Sequence, residues 1–411
     1  MEQTFLTSLK INHVRHLSDI VIPLSETQRK NLILTGKNGS GKTSTLNYFA
    51  SHLKYIVSSS FSPEQKIRDS IAHWKKKIDE YSKNEENIKN KEQAQSYLSM
   101  NESNLAYWTA GCSGAYTSVY KLREKYQSGQ FVLAFYSDDR KLTVSDYKHI
   151  EKVTLKPVYE LQEHPSKELG KYLVDLKSTR SFARDKNDAE RVQQIDAWFD
   201  RFSSVLRRIY QDDSLELNFD IDTFQFSICI PGREPFHFNE MSAGYAAVFD
   251  IVGDLMMRME TQKRYDLEGI VLIDEIETHL HVELQKDIVP ILTTLFPNIQ
   301  FVLTTHSPFV LNSTENAVVY DLEKHLLVSD GMTDLPYDGI VEGYFGADLL
   351  SQELRSQLDT YKGLVQKPNL TDSDYAAIAE LEYDLDEVPD YLASEFAEEY
   401  NRLKFEFHSR G

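Results

Sequence analysis

The sequence predicts an α/β protein: a mainly parallel central sheet flanked by helices, with an antiparallel β subdomain, a two-helix insertion and a helical C-terminal tail. Three observations predict it. The runs NLILT (31–35), IVLI (270–273) and FVLTT (301–305) are almost wholly apolar, the pattern of strands buried on both faces. Stretches with helical spacing separate such runs, as in a sheet of parallel strands. A glycine-rich turn follows the first run directly and opens a helix.

The chain has 411 residues, enough for two or three domains. Hydrophobic residues make up 41% and charged residues 27%, so a substantial core is possible. No run approaches the ~18 uncharged apolar residues of a membrane span, which excludes an integral helical membrane protein. The segment MEQTFLTSLKINHVRHL lacks the apolar core of a secretory signal, so none is expected. Two cysteines, Cys112 and Cys229, exclude a disulfide scaffold or a four-cysteine zinc site within one chain, and a reduced cytoplasmic protein is expected. The net charge is −19, and 21 acidic against 7 basic residues lie from Asp321 to Gly411. Such a chain is no general polyanion binder. Nucleic acid is a possible partner only through a local basic surface on the part before that tail.

In order, residues 1–61 read as an N-terminal lobe. FLTSLKINHV and DIVIPL are strands, NLILTG is a third, and STLNYFASHLKYIV is a helix. Residues 62–130 read as a helical, coiled-coil-like insertion. Ser62-Pro63-Glu64 starts its first helix, with Ile67, Ile71, Trp74, Ile78, Tyr81 and Ile88 as a heptad stripe. A second helical stretch carries Tyr97, Leu98, Leu105, Trp108, Tyr116, Tyr120 and Leu122, and each arm would reach ~45 Å at most. Residues 131–214 form a variable lobe: a strand (FVLAFYS), a mixed segment, and an amphipathic helix with Val192, Ile195, Trp198, Phe199, Phe202, Val205 and Ile209 on one side. Residues 215–345 form a second lobe: a hairpin (SLELNFD, TFQFSICI), a helix after Ser242, the strand IVLI, the helix VELQKDIVPILTTLF, the strand FVLTT and the strand VVYDL. Residues 346–411 are an acidic helical tail.

Gly36-Lys37-Asn38-Gly39-Ser40-Gly41-Lys42-Thr43 fits G-x-x-x-x-G-K-[ST] without departure, between a strand and a helix. The glycines let backbone N–H groups turn inward around a phosphate, and the helix N-terminus adds a favourable dipole. ATP is the expected ligand, cradled by Gly36, Asn38, Gly39, Ser40, Gly41 and Ser44. Lys42 would meet the β- and γ-phosphates and Thr43 would ligate Mg2+. Asp274 and Glu275 end the apolar run IVLI. A buried parallel strand delivers its C-terminal end to the ligand crevice. There Asp274 would hold the Mg2+ shell and Glu275 would polarise the attacking water. An ordinary solvated strand end has the same pattern; the phosphate loop upstream favours the functional reading.

With Met241-Ser242-Ala243-Gly244-Tyr245 opening a helix about 30 residues before the acidic pair, the sequence resembles the ATP-binding-cassette ATPases. The resemblance is closest to their DNA-linked branch: RecF, the SMC-type ATPases and the OLD-like ATPases of phage defence. It covers about residues 1–56 and 215–345. It implies an ABC-ATPase head in which Ser242 and Gly244 bind the γ-phosphate of the nucleotide held by a second subunit. The usual polar residue is replaced by Tyr245, and the usual proline after the catalytic glutamate by Ile276. Glu277-Thr278-His279-Leu280-His281 resembles the E-x-H-L-H stretch of OLD-like proteins, where it crosses the dimer interface; structural or interface roles are expected for both histidines. His306, in Thr304-Thr305-His306-Ser307-Pro308, matches the switch histidine that touches the γ-phosphate. For the magnesium-binding glutamine, Gln127, Gln130 and Asp138 all stay open, and Asp138-Asp139-Arg140 would equally suit a solvated turn.

The resemblance also implies function. The expected protein is an Mg2+-dependent ATPase that forms a homodimer or higher homo-oligomer around ATP. It would be the sensor, motor or scaffold subunit of an anti-phage complex of the Septu or PARIS kind, with a separate nuclease or toxin-like effector. The alternative is a DNA-repair or chromosome-maintenance ATPase binding DNA directly. A TOPRIM nuclease is not expected: Ile340-Val341-Glu342-Gly343 matches its start only superficially, and Asp384-Leu385-Asp386 lies in an acidic segment rather than at a strand end.

Overall fold

The computed structural model describes residues 3–83, 88–140, 150–333, 352–386 and 394–409. It divides into two compact units, Met1–Thr333 and Asp334–Gly411. The expected boundary at 345/346 and the Ile340–Gly343 stretch lie outside the described residues.

The first unit begins with β1 (Leu6–Val14) and β2 (Leu17–Pro23), an antiparallel pair, then β3 (Asn31–Thr35). Helix α1 spans Lys42–Val57. Helices α2 (Glu64–Ser82) and α3 (Ile88–Thr109) pack on each other as the expected hairpin. Trp74 stacks on Tyr97 with centroids 4.8 Å apart, and Ile67 and Ala94 are fully buried. At a rise of ~1.5 Å per residue α3 is about 33 Å long, shorter than the arm expected.

The second helical stretch does not run on to Leu122. It ends at Thr109, and Gly111–Tyr116 is instead a strand, β4, antiparallel to β1. Gly111 has φ +69, and a Cβ there would lie 2.3 Å from Tyr48 of α1, so only glycine turns the chain here. Ile88 begins α3 and is exposed rather than extending the α2 stripe.

After α4 (Val119–Gln127) come β5 (Phe131–Tyr136), α5 (Leu169–Asp185) and α6 (Ala189–Tyr210). The apolar side of α6 is buried as its spacing requires, with Val192 half-buried. Strands β6 (Glu216–Phe219), β7 (Phe226–Cys229) and β8 (Phe236–His237) make a small antiparallel sheet. Then follow α7 (Ala243–Glu260), β9 (Glu268–Ile273), α8 (Val282–Leu295), β10 (Ile299–Thr304), the short α9 (Pro308–Leu311), β11 (Ala317–Asp321) and β12 (Leu326–Val328).

The central sheet has the order β12-β11-β3-β10-β9-β5, parallel except for β12 at one edge. Alternate residues face opposite sides. Leu32, Leu34, Ile270, Leu272 and Val302 join α1 (Phe49, Leu53) and β1–β2 (Leu9, Ile22) in one core. Their neighbours Ile33, Val271, Ile273, Phe301 and Leu303 are equally buried, so both faces are covered. Because β3, β10, β9 and β5 run the same way, Thr35, Thr304, Ile273 and Tyr136 reach one edge together.

The second unit comprises α10 (Gln352–Val365), α11 (Asp372–Asp386) and α12 (Ser394–His408). Its own core holds Leu358, Tyr361, Val365, Ile378, Leu385, Tyr400 and Leu403. Asp384-Leu385-Asp386 ends a helix. Among the described residues no helix is long and apolar enough to cross a membrane.

Candidate active site

The phosphate loop occupies the turn from β3 into α1. Gly36, Gly39 and Gly41 have φ of +130, +85 and +100, a region closed to most residues with a Cβ. A Cβ on Gly36 would also sit 2.9 Å from Ser40 Oγ and 3.3 Å from Asp321 Oδ1. Asp321, at the end of β11, accepts the backbone N–H groups of Glu323 and Lys324 and braces the loop from the side. The Lys42 ammonium is buried and donates to the carbonyls of Gly36 (2.8 Å) and Lys37 (3.2 Å). Burial pulls its pKa down, against the carboxylates of Glu275, Glu277, Asp274 and Asp321. Among the described residues the buried Ser40 Oγ has no partner. Asn38, Gly39 and Thr43 are exposed, and Ser44 is half-buried.

Two strands away, β9 ends at the acidic pair. Asp274 is buried, and its N–H donates to the Tyr136 carbonyl (2.8 Å). Thr304 links the pair: its hydroxyl donates to Asp274 Oδ1 (2.5 Å) and accepts the Glu275 N–H (2.7 Å). That uses Oδ1, and among the described residues Oδ2 has no donor. Glu275 has φ +43, a left-handed conformation that is rare for a residue with a long side chain.

Arg140 holds that turn in place. Its buried guanidinium donates to three consecutive carbonyls: Asp274 (2.8 Å), Glu275 (2.8 Å) and Ile276 (3.2 Å). The turn Asp138-Asp139-Arg140 is therefore solvated only at its two aspartates. Gln127 and Gln130 precede β5 and lie at its opposite end, about 20 Å of strand away from this edge. Of Gln127, Gln130 and Asp138, Asp138 is the one that follows β5 at the edge where Asp274 and Glu275 follow β9.

His306 lies between the two halves. Its Nδ1 is 3.5 Å from Lys42 Nζ, and its Nε2 is 4.0 Å from Glu275 Oε1. Burial and the Lys42 charge hold its pKa below the ordinary 6.5, so the ring is neutral at pH 7. A neutral ring accepting from Lys42 at Nδ1 carries its proton on Nε2, the atom that faces Glu275 and has no hydrogen-bond partner among the described residues. Glu277 Oε1 accepts the His306 N–H and fixes the turn, while Oε2 is left free.

Ser242 and Gly244 are not part of this cluster. Ser242 occupies the N-cap position of α7, but its side chain makes no capping bond. Gly244 packs against the loop after the acidic pair, where a Cβ would lie 3.1 Å from the His279 carbonyl. Tyr245 stacks on Tyr210 at 4.2 Å and meets the His281 ring edge-on, an aromatic contact in place of a polar one. His281 caps α8 by accepting the Leu284 N–H (3.3 Å), and His279 has φ +71.

A nucleotide-type phosphate cradle thus shares one sheet edge with an acidic pair and a neutral histidine. The chain belongs to the family described as "AAA domain, putative AbiEii toxin, Type IV TA system", whose model matches residues 89–312. The Septu protein PtuA of Bacillus mycoides (strain KBAB4) is 34% identical over 139 residues, 32% of this chain and 20% of that protein. The retron Vc95 probable ATPase of Vibrio cholerae serotype O1 biovar El Tor is 29% identical over 185 residues, 41% of this chain and 34% of that protein. The matches thus span between about a fifth and a third of these relatives' lengths. An SMC head crystallised with the C-winged helix domain of ScpA matches 80% of this chain and 98% of its own, at 11% identity and a TM-score of 0.39.

Proposed function

We propose that the protein is an Mg2+-dependent ATPase of the phage-defence type. The observation that carries this reading is the contiguous line Lys42–His306–Glu275, in which phosphate-binding and proton-accepting groups lie within 4.0 Å of each other in turn. The loop glycines, the partnerless Ser40 hydroxyl and the Lys42 ammonium suit a triphosphate. The free Oδ2 of Asp274 and the exposed Thr43 hydroxyl suit the metal, which would supply charge neutralisation between the phosphates.

Lys42 exchanges its loop carbonyls for phosphate oxygens and holds the terminal group against the β3 edge. Glu275 accepts the proton of the attacking water, and Thr304 and Arg140 fix its backbone. His306 donates its Nε2 proton towards developing charge on the phosphate and so reports whether that group is present. Asp138 stands at the edge where a metal-directed side chain would be needed.

Ser242 and Gly244 begin a helix that leaves backbone donors for an anion and that does not serve its own chain's phosphate loop. This supports closure of a homodimer around ATP, each α7 N-terminus completing the partner's site. The helical hairpin and the acidic second unit are the surfaces that would engage a separate effector. The defence setting rests on the Septu and retron relatives, and a cytoplasmic, disulfide-free protein fits the two free cysteines. The test is the solution mass of Glu275→Gln with and without Mg-ATP. A nucleotide-held dimer that dissolves on Lys42→Ala supports the account; a mass unchanged by ATP refutes closure.

Direct action on DNA as a repair or chromosome ATPase is the alternative. No specific observation favours it, and salt-dependent DNA binding by the isolated chain would revive it.

A further inference from the structure

A cavity of about 410 Å3 opens between α5, α6 and the connection from α7 to β9. It is built by elements other than those of the phosphate loop, and its volume is that of a small-ligand pocket. Ile195, Trp198 and Tyr265 form an apolar wall, and Arg191, Arg201 and Lys263 stand around it. Among the described residues no carboxylate lines it, although the chain carries a net charge of −19.

Two features make this a built pocket and not a packing defect. The first is a locked wall. The buried Glu260 carboxylate accepts from Trp198 Nε1 (2.8 Å), Tyr172 OH (2.6 Å), Tyr265 OH and Lys263 Nζ. Four donors on one carboxylate fix both aromatic rings, so the cavity keeps its shape when empty. The second is unspent charge. Neither the Arg191 nor the Arg201 guanidinium has an ion-pair partner among the described residues. The Arg201 guanidinium carbon sits over the Tyr265 ring, 4.3 Å from its centroid. A guanidinium placed over an aromatic ring is able to donate N–H groups to two oxygens of one anion.

We propose that this cavity is a second nucleotide site, one that takes a nucleoside monophosphate. The planar base rests on Ile195 and the accessible margin of Trp198. The phosphate is held by Arg191 and Arg201, while the Lys263 ammonium stays paired with Glu260. Aromatic wall and cationic rim are both required: an apolar ligand would leave the arginines unused, and a bare anion would leave the wall wet. The site adjoins Glu260, the last residue of α7.

The test is calorimetric titration of the full-length Lys42→Ala protein with AMP, which carries no β- or γ-phosphate for the first site. The proposal does not depend on ATP turnover, so loss of hydrolysis in that variant leaves it intact. The expected result is one AMP per chain. The added pair Arg191→Ala and Arg201→Ala should weaken it by at least about tenfold, and adenosine and inorganic phosphate should each bind at least about tenfold less tightly than AMP. Both arginines are exposed, and an unchanged thermal melt establishes that the variant is folded. A second reading uses Trp198 as sole reporter in Trp74→Phe/Trp108→Phe, where AMP should change its fluorescence saturably. No saturable AMP binding in the millimolar range overturns the proposal, as does binding that the arginine pair leaves unchanged or that adenosine matches.

Discussion

Arg140 is the residue whose importance most exceeds its sequence signal. Alone in the turn it looks like one more charged surface residue after two aspartates. Folded, it carries the backbone of the acidic pair on three hydrogen bonds and keeps Glu275 in a conformation the chain would otherwise leave. Misplacing a general base by ~1 Å costs about 10²-fold in rate. Arg140→Ala is therefore expected to lower kcat for ATP by about that factor with little change in KM. Added guanidinium should restore part of the loss, which a general packing defect would not show. An unchanged kcat, or a KM rise alone, would remove Arg140 from the positioning role. Its signal was absent from the sequence because its partners lie more than 130 positions away and are main-chain carbonyls, which any residue could supply. The phosphate loop is the opposite case: its chemistry lies within eight consecutive residues, so spacing alone exposes it.

At the scale of elements, α1 joins the phosphate loop at one end to the base of the helical hairpin at the other. His52 is the joint. Its Nδ1 meets the Tyr107 carbonyl (3.2 Å), its Nε2 accepts the Gly114 N–H (3.0 Å), and its ring meets Trp108 edge-on. Tyr55 stacks on Tyr107 at 4.6 Å one turn further. Only a neutral imidazole can accept at Nε2, and burial lowers its pKa from 6.5 to about 4. A lowered histidine pKa stabilises the fold above pH 6.5 and ceases to do so as pH falls towards 4. Between pH 7 and 5 the wild type should lose about 2 kcal/mol more unfolding free energy than His52→Gln in urea titrations. Equal losses would show that the joint does not titrate.

The central strands, α6 and the first arm of the hairpin were legible, because apolar periodicity encodes them locally, whereas the second arm ends at Thr109 and not at Leu122. Strand β4 was not. Its sequence GCSGAY has none of the bulky β-branched residues that mark a strand, and it forms because β1 offers an open edge. Likewise, the position of Gly244 suggests a nucleotide contact, and its packing on the His279 carbonyl is something only tertiary structure reveals.

For the whole molecule, the chain separates into a nucleotide-type head and a second unit with a core of its own. A chain ending at Thr333 should fold and bind ATP with an affinity within about threefold of the full chain, since every residue of the candidate site lies before it. Equilibrium binding of a fluorescent ATP analogue measures this; a truncated chain that aggregates or binds no nucleotide would make the two units one folding body. The acidic surplus after Asp321 was readable from composition, as was its helical character. Composition did not tell that these helices share a separate core, because that depends on which apolar faces meet.

The central claim is that Glu275, held beside Lys42 and His306, activates water for ATP hydrolysis. Its most direct measurement is single-turnover phosphate release from Mg-ATP by wild type and Glu275→Gln, with bound ATP quantified in both. The account predicts undiminished ATP binding and phosphate release slowed by about 10² to 10⁴-fold in the variant. Release at the wild-type rate by Glu275→Gln would contradict it.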